Sequence, residues 1–395
     1  MIIKNGIVVT PDALLNCDIK VQGDTIVGLG RFDDEKDLVI DAEGLYVCPG
    51  LVDIHTHGGG GGDFMDATEE SFRKALTFHA KSGTTSLFAT SVTAPVEQIM
   101  RMVNAVREHV DGDNSMCKIQ GVHLEGPYLS LKNKGAQHES YLRVPVKDSY
   151  QFILDNSDVV KTVTIAPELA GAAEMTQALT EKGIVVCGGH DDGQKETVIP
   201  TIEAGLSHCT HLWCAMSTVA MRDGVRSVGL CELGLLDDRL TVEIIADNHH
   251  ITPDMVKLIY KCKGADQMCV VSDSLRAGGM PADGTLYSLG SCDDTTAQKF
   301  IVSDGVARLP DGSRYAGSIQ PISQMVKNLV DDANIPLVDA VKMASLTPAK
   351  IAKLDEQIGS IAIGKKADFC FMDKNLRVVN TIINGKEMER GTVAL

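Results

Sequence analysis

Apolar residues in this chain fall in short blocks whose texture changes twice along its length. Over the first ~45 residues, runs such as IIKNGIVVT, CDIKVQGDTIVGLG and DLVIDAEGLYVCPG alternate apolar and polar positions and break at NG, GD and EG pairs. Period-two alternation cut by turn dipeptides predicts short strands. The tail, ADFCFMDKNLRVVNTIINGKEM, repeats that texture. Two β-rich ends around a different middle predict that the termini pair into one small β-sandwich domain, residues 1–49 plus 360–395.

Between them, over 50–359, compact apolar runs alternate with helical patterns. Eight runs read as barrel strands: LVDIH (51–55), TSLFAT (85–90), IQGVHLE (119–125), TVTIAPE (162–168), GIVVCGGH (183–190), SHCTHLW (207–213), LTVEIIAD (240–247) and MCVVSD (268–273). Amphipathic segments such as EESFRKALTFHAKSG and VEQIMRMVNAVREHV separate several of them. ITPDMVKLIYKCKG predicts a helix capped by Thr252, with Pro253 at its first position and an end at Gly264. Strand–helix alternation implies a parallel sheet wrapped by helices. Eight units make a (β/α)8 barrel, whose active sites gather at the C-terminal strand ends. The expected fold class is α/β: a TIM-like catalytic barrel with a small sandwich built from both termini.

Composition narrows the function. At 395 residues, 44% hydrophobic and 23% charged, the chain reads as an ordinary soluble globular protein. A net charge of −16 argues against a nucleic-acid partner, which needs clustered Lys and Arg, and 4% aromatics with a single Trp213 offer no stacking platform. No run approaches the ~18 apolar residues of a membrane span, and the first residues lack a signal-peptide core. Eleven cysteines without framework spacing or a CxxC pair read as reduced thiols of a cytoplasmic enzyme.

The chemistry sits at the ends of the apolar runs. In VDIHTH, the HxH spacing puts His55 and His57 on one side of an extended chain, where two imidazoles suit Zn²⁺ or Fe²⁺. Mn²⁺ and Co²⁺ are also compatible, with one or two ions. Glu125 in GVHLEGP, His190 in VVCGGH and His211 in CTHLWCAM follow the same pattern; His208 is expected to face the barrel wall or helices instead. Asp273 closes VVSD, where a carboxylate can shuttle a proton from an attacking water to a leaving amine. Each residue has a plainer reading alone: a polar strand exit, a solvated loop Glu, or a helix N-cap for Asp273. The run Gly58–Gly62 is expected either to let backbone approach a ligand or to form a flexible loop.

Together these phrases resemble the N-acetylglucosamine-6-phosphate deacetylases of the amidohydrolase superfamily, from PGLVDIHTHG through HLEGPYL, THLWCAM, IADNHH and VVSDS to AGSIQPISQMVKNL. The resemblance implies hydrolysis of an acetamido group on an amino-sugar phosphate, one or two divalent metal ions, and a homodimer. It implies metal ligation by Glu125, His190 and His211, with His55 and His57 matching the pair found in two-metal members. Asp273 matches the catalytic acid/base and is counted among the metal-ligating residues as well. Arg222 and His250 match residues that hold the sugar phosphate and ring; Ala215, Asp247, Tyr315 and Gly317 fall where substrate contacts lie. Other branches generally carry a carboxylated lysine where Glu125 stands.

The departures cluster on the substrate side. A Gly-Ala/Thr/Cys-His phrase becomes Gly135-Ala136-Gln137-His138, so carbonyl polarisation falls to Gln137 or to His138. Cys214 stands in place of an Asn and Ser217 in place of a Pro. The favoured substrate is N-acetylglucosamine 6-phosphate. The alternatives are another N-acetylated amino sugar such as N-acetylgalactosamine 6-phosphate, a cyclic amide, or a binding protein without activity.

Overall fold

In the computed structural model, residues 1–33, 37–110, 116–222 and 224–388 are described, the side chain of Arg222 apart. Eight parallel strands form one sheet in chain order: β1 (Leu51–Thr56), β2 (Thr84–Ser91), β3 (Lys118–Glu125), β4 (Val160–Ile165), β5 (Val185–Gly188), β6 (His208–Cys209), β7 (Thr241–Ile244) and β8 (Met268–Val270). Neighbours pair sequentially from β1 to β8, which is the barrel that the apolar runs predict. The two end strands meet through individual bonds: Asp273 N–H donates to the His55 carbonyl at 2.9 Å, Ser272 N–H to Asp53 Oδ1 at 3.2 Å, and His57 N–H to the Ser274 carbonyl at 2.9 Å.

Several strands stop short of their apolar runs. β6 is two residues long where seven were expected, and β5 ends before His190. The cause lies in the backbone: His190, His211, Trp213 and Asp273 have φ of +50°, +28°, +71° and +43°, left-handed conformations that end a strand. Helices cover the outside. Glu69–Lys81 is capped by Thr68, whose Oγ1 accepts from Ser71 N–H at 3.2 Å. The helix starting at Pro253 runs on to Gln267, past the expected stop; Gly264, at φ +61°, marks a kink within it.

The termini build two further sheets. Tyr46–Pro49 pairs antiparallel with Phe369–Met372 and parallel with Ile7–Val9, so N- and C-terminal segments share one ladder. A second, four-stranded sheet holds Ile2–Lys4, Asp18–Gln22, Thr25–Gly30 and Val39–Asp41. Ile3, Ile19 and Ile26 from one sheet and Val47, Phe369 and Ile382 from the other form a single buried cluster. After β8 comes an unexpected antiparallel sheet, Tyr287–Ser288, Lys299–Ser303, Val306–Arg308 and Tyr315–Gly317.

Candidate metal centre and active site

The C-terminal ends of β1, β3, β5, β6 and β8 deliver their side chains to one point. Along β1 the alternation holds: His55 and His57 bring their ring centroids within 5.4 Å, while Thr56 between them turns away to His79 Nε2, 3.1 Å distant. His190, His211 and Asp273 all arrive on left-handed residues, each of which costs roughly 1–3 kcal/mol and persists where the surrounding structure enforces it. Gly135, at φ +58°, packs so close that a Cβ there would lie 3.0 Å from His190 Cε1.

Glu125 is the hub. Its Oε1 lies 3.1 Å from His190 Nε2, 3.0 Å from His211 Nε2 and 3.7 Å from His55 Nε2. Its Oε2 lies 3.5 Å from His57 Nε2, which in turn reaches Asp273 Oδ1 at 3.1 Å. Two sets of donors therefore share one carboxylate: His55, His57 and Glu125, and Glu125, His190 and His211, each with ligand atoms within 4.8 Å of one another. All five residues are buried.

This donor set fits divalent metal. Imidazole nitrogens with one shared carboxylate suit Zn²⁺ or Fe²⁺. His55 Nε2 is fully buried without a hydrogen-bond partner and faces Glu125 and Asp273 Oδ1, the latter at 3.6 Å. His190 Nδ1 is held by the Asn133 carbonyl at 2.9 Å, which turns Nε2 inward. Burial disfavours charge on His55, but the Glu243, Asp273 and Glu125 carboxylates outweigh it and lift its pKa to about 10. Burial likewise opposes ionised Glu125, yet the His190 and His211 hydrogen bonds hold it well below the usual carboxylate range. Such a cluster of anionic groups favours positive charge at its centre.

A cavity of about 380 Å³ opens over this centre. His57, Glu125, His190, His211 and Asp273 form its floor, and Ala136, Gln137, Cys214, Ala215, His250, Tyr315 and Gly317 line its sides. Gln137 and His138 part company here. The Gln137 Oε1 accepts from Thr93 N–H at 2.7 Å, so its amide nitrogen is turned to Glu125 Oε2. His138 faces a neighbouring small cleft, its ring 4.6 Å from that of Tyr141. The turn closed by Gln137 N–H on the Lys134 carbonyl at 3.0 Å precedes an extended His138, so the two side chains part and only Gln137 reaches Glu125. His250 Nδ1 donates to Asp247 Oδ2 at 2.8 Å, and its ring lies 5.2 Å from Tyr315. Burial pushes the Cys214 thiol up, which removes it as a thiolate nucleophile at neutral pH. Arg222 ends the hairpin strand Ala220–Arg222; its side chain lies outside the described residues.

The Amidohydrolase family model matches residues 46–388. The chain belongs to the amidohydrolase family. It is 32% identical over 377 residues to the N-acetylglucosamine-6-phosphate deacetylase of Vibrio furnissii, covering 95% of this chain and 90% of the relative. It is 29% identical to the N-acetylgalactosamine-6-phosphate deacetylase of Escherichia coli O157:H7, covering 88% and 89%. A solved mutant N-acetyl-D-glucosamine-6-phosphate deacetylase from Mycobacterium smegmatis, in complex with N-acetyl-D-glucosamine-6-phosphate, superposes with a TM-score of 0.89 at 30% identity, over 98% and 99% of the two chains.

Three features of this amidohydrolase carry little or no signal in the sequence. Glu243, buried in β7, hydrogen-bonds His55 and His208; a charged residue inside the apolar run LTVEIIAD was the signal for it. Asn133 supports His190 through a backbone carbonyl, which any residue type supplies, so no signal existed. Lys132 and Arg314 stand on the cavity wall. The glycine run also differs from expectation. Residues 58–63 form a tight hairpin against the helix Glu69–Lys81 and segment 276–278, and a Cβ would lie 2.2 Å from Phe78 at Gly59 and 2.2 Å from the Ser71 carbonyl at Gly62. The glycines allow that packing, and none lines the cavity.

Proposed function

We propose that this chain hydrolyses the acetamido group of N-acetylglucosamine 6-phosphate, giving glucosamine 6-phosphate and acetate. The observation that carries the reading is the pair of histidine–carboxylate sets sharing Glu125, with Asp273 against His57, under a cavity sized for a sugar phosphate. The relatives' names agree in reaction and in substrate class.

His55, His57, Glu125, His190 and His211 would hold one or two divalent ions, Zn²⁺ or Fe²⁺ by preference and Mn²⁺ or Co²⁺ by compatibility. Bound metal supplies Lewis acidity, polarising the acyl oxygen and acidifying water near neutral pH. Asp273 takes the proton of the attacking water and returns it to the departing amine, which cannot leave as an anion. Gln137 presents its amide N–H beside Glu125 as a neutral donor to the acyl oxygen as negative charge develops there. His250, fixed by Asp247, and Tyr315 orient the sugar. Arg222 is assigned to its phosphate, and Ala136, Cys214, Ala215 and Gly317 shape the walls. His138, turned into the neighbouring cleft, contacts substrate only indirectly.

We assign the catalytic unit to 50–359 and the sandwich to 1–49 plus 360–395, of which 34–36, 111–115, 223 and 389–395 lie outside the described residues; a ladder that joins Tyr46–Pro49 to Phe369–Met372 supports the division. A homodimer follows from the resemblance. A cytoplasmic setting agrees with eleven free cysteines. No helix among the described residues is long and apolar enough to cross a membrane.

N-acetylgalactosamine 6-phosphate is the second reading, favoured by the altered residues Gln137 and Cys214 on the cavity wall; Ser217, also altered, is instead buried against Asp191, its hydroxyl donating to Asp191 Oδ2 at 2.5 Å. Acetate release from both phosphorylated sugars and their unphosphorylated forms tests the proposal. Preference for N-acetylglucosamine 6-phosphate is expected; no release from any of the four would sink the deacetylase reading.

A further inference from the structure

Beneath the site lies a carboxylate that none of the steps above uses. Glu243 is the third residue of β7, is 1% exposed and lies outside the cavity lining. Its Oε1 accepts from His55 Nδ1 at 2.6 Å and from the His211 N–H at 3.1 Å. Its Oε2 is 3.1 Å from His208 Nε2, and His208 Nδ1 pairs with Thr241 Oγ1 at 2.7 Å. One buried carboxylate thus links β1, β6 and β7. This also accounts for His208: it points away from the cavity and closes off the side of Glu243 that His55 leaves open.

A buried carboxylate is costly unless its oxygens are matched by donors. Here the donors are well chosen. With Nδ1–H given to Glu243, Nε2 is the His55 atom that faces Glu125 and Asp273 without a partner of its own, and the one that would exchange its proton for a metal ion. The bond to His211 N–H falls on the residue whose left-handed φ of +28° turns its imidazole to Glu125. The same carboxylate therefore holds one member of each histidine–carboxylate set, by the side chain in one and by the backbone in the other.

We propose that Glu243 is a positioning residue for the metal centre, and that it chiefly sets occupancy of the half formed by His55 and His57. This rests on the metal reading given under Proposed function. An imidazole whose far nitrogen loses its acceptor can rotate and is a weaker base, and loss of such an outer partner typically weakens metal affinity about 10–100-fold. His211 keeps its ring contacts when Glu243 is changed, so the half formed with His190 is affected less.

The test uses the full chain, stripped of metal and then dialysed against graded free Zn²⁺, for wild type, Glu243→Gln and Glu243→Leu. Bound zinc per chain, the unfolding midpoint of the metal-free protein, and acetate release are read separately. The wild type is expected to take up two ions. Both variants are expected to keep one and to bind the other roughly 10–100-fold more weakly. The Gln variant should lose less than the Leu variant, since its amide oxygen still accepts from Nδ1–H. Glu243→Gln preserves volume and keeps the test usable where Glu243→Leu does not fold. Two ions bound at wild-type affinity in a folded variant, with only the midpoint lowered, would overturn the proposal. A wild type that takes up a single ion overturns it as well, yet leaves hydrolysis standing if acetate is released. Loss of one ion without acetate release from any sugar upholds Glu243 and removes the substrate reading instead.

Discussion

His57 Nε2 and Asp273 Oδ1 lie 3.1 Å apart, although one residue follows the first barrel strand and the other follows the last. The backbone N–H of Asp273 donates to the His55 carbonyl at 2.9 Å, so the bond that helps to close the barrel also aims its carboxylate. Barrel closure and the proposed proton carrier thus share a residue.

Replacing Asp273 by Asn keeps shape and backbone bond but removes the proposed base. Positioned acid–base groups contribute about 10²–10⁴-fold, so kcat should fall by that factor while bound metal per chain stays near wild type. Steady-state kinetics with elemental analysis checks both. Undiminished turnover in Asp273→Asn would remove the residue from the mechanism.

Gln137 is oriented by Thr93 N–H, which occupies its carbonyl oxygen and leaves the amide N–H groups for the site. Gln137→Ala should lower kcat by about 10²–10³-fold, the usual cost of losing one oriented oxyanion donor. His138→Ala should change kcat little, because that ring lies tilted against Tyr141 outside the main cavity. The opposite ranking would return the donor role to His138.

Stability should carry a signature of Glu168. Burial lifts its carboxyl to about 7, with Asp191 adding repulsion, against the bond it accepts from Asp192 N–H at 2.8 Å. A folded pKa above the unfolded value means that the protonated form is favoured on folding. Its contribution is therefore complete below pH ~4.5 and is lost as pH rises through about 7. Glu168→Gln should accordingly gain on the order of 2 kcal/mol relative to wild type between pH 5 and pH 8. Urea unfolding at the two pH values reads this; parallel pH dependence in both proteins would refute it.

The termini act as one unit through a common core. Phe369, fully buried, pairs across from Pro49 and packs with Ile3, Ile19 and Val47. Phe369→Ala should destabilise the protein by about 3–5 kcal/mol in urea unfolding, with little change in KM of the surviving folded enzyme. A loss under ~1 kcal/mol would show that this cluster does not couple the two ends.

Much of this architecture was legible in the chain. The barrel could be read because buried parallel strands are continuous apolar runs, and the site because the runs stop on His55, Glu125, His190, His211 and Asp273. Strand ends were read too long because left-handed His190, His211 and Asp273 break the ladder while the apolar pattern runs on. The sheet spanning 287–317 went unseen because its strands are only two to five residues long, too short for alternation to register. The glycine run misled because composition reports that backbone packs closely, and does not report against what. Here the contact is Phe78 and Ser71.

Hydrolysis here depends on bound metal in the proposed mechanism, and reconstitution reads that dependence. Protein stripped by a chelator, then dialysed free of it, should release no acetate from N-acetylglucosamine 6-phosphate. Turnover should return as Zn²⁺ or Fe²⁺ is added and should level off at one or two ions per chain. Full turnover by metal-free protein would rule out a metal-dependent hydrolysis.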